Sequence, residues 1–156
     1  MRVASRGLLF GLVLMLAGCA RPPLFAQAGP GLAPIPAGEA RIYLYRNLEI
    51  YESIAPTEAY LNGKQVGVAW PGAVLYRDVA PGTYLIAVHS EGWYFDQFKT
   101  VTLKAGDTLY ARVDSLHAWY CEGIINTGCP YETFVVNLIA PQVAASEILP
   151  LYFINN

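Results

Sequence analysis

Charge is scarce in this sequence. Only 14% of its 156 residues are Asp, Glu, Lys or Arg, and twelve acidic side chains outnumber ten basic ones. A nucleic-acid surface needs a basic stripe, so nucleic acid is excluded as a partner. Histidine and cysteine are also few, with two and three copies. The cysteines form no Cys-x-x-Cys. His89 and His117 lie far apart in sequence, and neither has a second histidine at i, i+2 or i, i+4. The spacing that supports zinc or dithiol chemistry is therefore missing. Ser90, Ser115 and Ser146 stand in no nucleophile-elbow context, and no Ser-x-x-Lys occurs. No strand–helix alternation of a parallel α/β sheet is visible. These absences lead us to expect no catalytic residue, metal or cofactor. What is abundant is apolar: 54% of the chain is hydrophobic and 13% aromatic. That is enough for a real core, so global disorder is excluded.

The amino terminus carries the clearest pattern. Arg2 and Arg6 precede an unbroken small and apolar run from Gly7 to Ala17, and Leu16-Ala17-Gly18-Cys19 closes it. This is the order of a secretory signal, and the run is well short of the roughly 18 residues that span a bilayer. The four closing residues resemble the lipobox of bacterial lipoproteins. The resemblance implies cleavage after Gly18, a diacylglycerol on the Cys19 thiol, and acylation of the new amine. Two or more chains are what stable anchoring requires, at about 0.8 kcal/mol per buried methylene. Ala20 stands where an Asp would resemble an inner-membrane retention signal, so the expected location is the outer membrane, facing the periplasm. Removing Arg2 and Arg6 leaves eight basic side chains against twelve acidic ones, a net charge of about −4.

The remainder divides in two. Residues 19–38 contain Pro22, Pro23, Pro30, Pro34 and Pro36 with Gly29, Gly31 and Gly38, and no apolar periodicity. They read as an extended, flexible tether. Residues 39–156 read as the folded domain. Ala40 to Arg46 alternates, with Ile42 and Leu44 on one face and Tyr43 and Tyr45 on the other. Thr57–Leu61 and Gln65–Ala69 flank Asn62-Gly63, a strong hairpin signal because both turn residues tolerate positive φ. Ala73–Val79, Thr83–Ser90, Phe98–Leu103, Thr108–Asp114 and Phe134–Ala140 read as further strands. Pro81-Gly82 reads as a tight turn with Gly82 left-handed, and Ala105-Gly106-Asp107 as a turn after which the Thr108 strand pairs back. Ala144, Ala145 and Ile148 have helical spacing, which fits a short terminal helix. Leu151 to Ile154 fits strand and tail equally.

Seven to eight short strands with turn signals every eight to twelve residues predict an all-β fold, an antiparallel β-sandwich that is Ig-like or regulatory-domain-like. Four stretches in order carry a resemblance: Ala40-Arg-Ile-Tyr-Leu-Tyr-Arg46, Asn62-Gly-Lys-Gln-Val-Gly67, Pro81-Gly-Thr-Tyr84 and Lys104-Ala-Gly-Asp-Thr-Leu-Tyr110. With the lipobox, the set resembles small bacterial envelope lipoproteins that carry a domain of unknown function. That domain is similar to carboxypeptidase regulatory-like β-sandwich modules. The resemblance implies a fold and a location, and no reaction or ligand.

Two stretches are candidate sites. Cys121 and Cys129 form an even pair in an oxidising compartment. A disulfide between them would contribute about 2–3 kcal/mol and would hold Ile124 and Ile125 near Trp119, Tyr120 and Tyr131. Rigid aromatics on a stapled loop suit a binding surface. The alternative, which the sequence favours, is a staple closing one end of the sandwich. The second stretch, with Trp93 and Tyr94, is either an exposed docking patch or, the favoured reading, an apolar plug. Tyr43, Tyr45 and Tyr110 read as strand tyrosines with solvated hydroxyls. The expectation is a lipid-anchored, non-catalytic binding or assembly module with an envelope protein as partner. The alternative is a structural or stress-linked coat lipoprotein without a specific ligand.

Overall fold

The computed structural model describes residues 21–49, 53–92, 97–116 and 133–155. It is a sandwich of two sheets, centred on β1 (Ala40–Arg46). The first sheet has the order β8-β7-β1-β4-β9, with β4 Ala73–Val79, β7 Thr108–Leu116, β8 Thr133–Leu138 and β9 Tyr152–Phe153. The second has the order β3-β2-β5-β6, with β2 Thr57–Leu61, β3 Lys64–Ala69, β5 Gly82–Val88 and β6 Lys99–Leu103. The predicted β-sandwich is therefore present. Ile42 and Leu44 face the second sheet and join Ala59, Leu61, Leu75, Ile86, Leu103, Ala111 and Val136 in the main core. Asn62 (φ 50°) and Gly63 (φ 78°) form the predicted β2–β3 hairpin. The Asn62 side chain also ties it to β5, accepting from the Leu85 amide at 2.7 Å.

Three features depart from the sequence reading. Not every pairing is antiparallel, because β1 runs parallel to β7 and β4 parallel to β9. The turns at Pro81 and Gly106 do not make hairpins. Each carries the chain from one sheet to the other, so β7 pairs with β1 and β8 and not back with β6. Local turn chemistry is the same for a hairpin and a corner, so sequence alone could not separate them. Gly82 is not left-handed; Gly38, Gly63, Gly72 and Gly106 are the described glycines with positive φ.

The third departure concerns the amino-terminal segment. It is not an extended tether from Arg21 onward. Phe25–Ala28 forms a single helical turn, α1, followed by a 3₁₀ turn at Gly29–Gly31. The Phe25 amide donates to Leu151 O and the Phe153 amide to Pro23 O, both at 2.7 Å. Phe25 packs edge-on against Tyr43, with ring centroids 5.7 Å apart. Pro and Gly prevent a long element here, but they do not prevent docking.

This docking explains the aromatic face of β1. Tyr43 stacks on Tyr110 at 5.0 Å, and α2 (Pro141–Glu147) covers Tyr45. Phe25, Tyr43, Tyr45, Val74, Ala144, Ile148 and Leu151 form a second core on the outer side of the first sheet. All seven residues of β1 are consequently buried. The predicted terminal helix is present, and the ambiguous tail becomes β9.

The strand directions define two ends. β1, β3, β5 and β7 all finish at what we term the upper end and begin at the lower.

Candidate functional site

The two lateral sides of the sandwich differ. On the β6–β8 side the sheets are stitched together. Ser90 Oγ accepts from the Phe134 amide at 3.0 Å and from Gln97 Nε2 at 2.8 Å, and the Val136 amide donates to Gln97 O at 3.1 Å. On the β3–β4 side they part. β9 pairs with β4 at Ala73 and Val74 only. Below that point the outer edge of β4 stands beside β3, the edge strand of the second sheet.

A cleft of about 640 Å³ opens between these edges, lined among others by Lys64, Gln65, Val66, Arg77 and Tyr84. Its upper limit is set by Gly67. A Cβ there would lie 2.9 Å from Leu75 Cδ2, so a side chain at this position would have to displace Leu75 or move β3 away from β4. Arg77 is half-buried and points inward. Burial lowers its pKa from the ordinary guanidinium value, and Nη1 donates to Tyr76 O (2.7 Å) and Asn155 Oδ1 (3.0 Å). Asp78 also borders the cleft, but its carboxylate faces the other side of the sheet. There it takes a bidentate pair from Arg41 at 2.7 and 2.8 Å, which holds Arg41 firmly charged. Lys64 and Arg77 thus leave the cleft with positive character, suited to a polar or acidic strand-like segment.

A second polar cluster lies on the outer face. The Tyr45 hydroxyl donates to Glu147 Oε2 at 2.5 Å, and Arg112 reaches Glu147 Oε1 and Asp114 Oδ1, each at 2.8 Å. Asn137 completes it by donating to Asp114 Oδ2 at 2.8 Å. The expectation of solvated tyrosine hydroxyls therefore fails at Tyr45, which has no exposed surface. Burial, and next Glu147, push its phenol pKa well above the ordinary value. The acids are already paired and α2 roofs the tyrosine, so the cluster serves to fasten α2 to the sheet.

At the upper end, Arg46 is completely buried and holds the 53–55 loop. It donates to Ala55 O at 2.6 Å and to Ser53 O, with its guanidinium 4.8 Å from the Phe134 ring centre. His89 is exposed, and its carbonyl accepts from Thr57 Oγ1 at 2.6 Å. Among the described residues no three His, Cys, Asp or Glu side chains come together to hold a metal. Among them, too, no helix is long and apolar enough to cross a membrane.

The predicted site residues Cys19, Trp93, Tyr94, Trp119, Tyr120, Cys121, Ile124, Ile125, Cys129 and Tyr131 lie outside the described residues, as does His117. The strand ends that flank residues 117–132 are described: Leu116 and Thr133 are directly paired at the upper end. Sequence reasoning missed the β3–β4 cleft, which depends on which strands end up as neighbours across the two sheets. It also passed over Trp70-Pro71-Gly72. There the Ala73 amide donates to Trp70 O at 3.2 Å, Gly72 has φ 73°, and Trp70 is 48% exposed. A Trp leading a Pro-Gly turn was the available signal.

The fold defines a β-sandwich with a docked outer layer. The chain belongs to the family described as "Protein of unknown function (DUF2846)", whose match covers residues 36–124. No curated protein matches it. The family span takes in β1 to β7, while α1, β8, α2 and β9 lie outside it.

Proposed function

We propose that this chain is a lipid-anchored protein of the bacterial envelope whose sandwich is a non-catalytic docking module. Cys19 carries the lipid, and Ala20 favours the outer membrane, facing the periplasm. Cys121 and Cys129 form a disulfide in that compartment, and the sandwich is of the carboxypeptidase regulatory-like kind. The observation that carries the docking role is the β3–β4 cleft. It brings two sheet edges together around Lys64 and Arg77, and an edge offers backbone hydrogen bonds to an added strand. The partner is an envelope protein that presents an extended, polar or acidic segment.

The test is photo-crosslinking in intact cells. A crosslinking residue at Gln65 should capture one recurrent partner. The product should disappear with Arg77→Glu, and the same residue at Lys104, on a turn at the lower end, should capture nothing. Equal products from both positions, or none from Gln65 in an abundant, correctly located protein, would overturn the docking reading in favour of a structural coat lipoprotein.

A further inference from the structure

A second hollow, of about 450 Å³, lies at the upper end between Arg21, Pro22, Trp70, Pro71, Tyr152 and Ile154. Its rim is apolar and open. Trp70 is 48% and Tyr152 39% exposed, and Leu48, 70% exposed, stands beside Gly72 of the same turn. The backbone around the hollow is fixed: the Tyr152 amide donates to Gly72 O at 2.8 Å and the Phe153 amide to Pro23 O at 2.7 Å. The rim therefore cannot fold inward to hide these side chains.

We propose that this upper end lies directly on the bilayer, with Trp70 and Tyr152 at headgroup depth. The inference rests on the lipid anchor at Cys19. Only Ala20 stands between Cys19 and Arg21, so the lipidated residue's Cα is at most about 7 Å along the chain from the wall of the hollow. The headgroup layer of one leaflet is itself roughly 5–7 Å thick. An anchor this short holds the hollow against the lipid surface. Trp and Tyr are the side chains that settle there, with the ring body in apolar surroundings and the polar edge wet. Arg21 sits among them, where its cation meets lipid phosphate. The β3–β4 cleft, on the flank and nearer the lower end, stays open to the periplasm.

The test uses the full chain purified from membranes and placed in phosphatidylethanolamine–phosphatidylglycerol vesicles doped with acyl-brominated lipid. Trp93→Phe and Trp119→Phe leave Trp70 as the sole tryptophan. A companion protein carries Trp70→Phe with these changes and a sole reporter from Lys104→Trp. That position lies at the far end of β7, about 30 Å away for nine strand residues. Intact mass reports acylation in the same samples. The expected result is an acylated chain in which bromolipid reduces Trp70 emission about twofold, with the reporter at position 104 unchanged. An acylated chain in which the two reporters are quenched alike, or in which Trp70 is shielded without quenching because a second copy covers it, would overturn the orientation alone. A chain without acyl mass would overturn both the orientation and the anchoring it rests on.

Discussion

Phe25→Ala separates a docked amino-terminal segment from a loose one. Phe25 is 9% exposed and sits edge-on against Tyr43 at 5.7 Å and Phe153 at 6.0 Å. Truncating a buried Phe costs about 3–5 kcal/mol when the surroundings cannot collapse. Here the segment can lift away, so the loss is capped by what docking contributes, and about 3 kcal/mol is expected. For a domain of this size that lowers Tm by about 10 °C. Thermal unfolding followed by near-UV circular dichroism gives the shift. Hydrogen exchange localises it, because the Phe153 amide, which donates to Pro23 O, should lose protection before the β1 amides do. A Tm within about 2 °C of the parent, with the Phe153 amide still protected, would refute the docked outer layer.

Tyr45→Phe should cost about 2 kcal/mol, since it removes a buried hydroxyl bond to a carboxylate. In a double-mutant cycle with Glu147→Gln, a coupling near zero would contradict the fastening role of that bond. The same tyrosine makes stability fall at high pH. Its folded pKa is raised, so its contribution is complete below the ordinary value of 10.0 and is lost as the pH rises beyond it, when the unfolded chain ionises first. The Tyr45→Phe variant should show a shallower alkaline decline in denaturant midpoint. Arg46→Met should destabilise by about 3 kcal/mol, because the Ser53 and Ala55 carbonyls lose their donor; a chemical-denaturation midpoint within error of the parent would contradict this. Gly67→Val should force β3 from β4, costing about 1–3 kcal/mol and abolishing crosslinking from Gln65; a retained crosslink would place the interface elsewhere.

The strands of the sandwich were largely legible because alternation is a local signal. Ile42 and Leu44 against Tyr43 and Tyr45 marked two faces of β1, and Asn62-Gly63 marked the β2–β3 hairpin. Which strands pair is not local. The same Gly106 turn could have closed a hairpin, yet it delivers β7 alongside β1 in parallel. The second core was hidden for a related reason. Its pieces, Phe25, Ile148, Leu151 and the outward tyrosines, come from both ends of the chain, and no single stretch shows that they meet. An aromatic outer face on a strand with no evident cover was the clue that another layer had to exist. The β3–β4 cleft was illegible because it is made by where β9 stops, two residues along β4.

The measurement that most directly tests the account is the intact mass of the mature chain extracted from membranes. The expected mature chain lacks residues 1–18 and begins with Cys19 carrying a diacylglyceryl thioether. A mature chain that retains residues 1–18, or that carries a free thiol at Cys19, would contradict it.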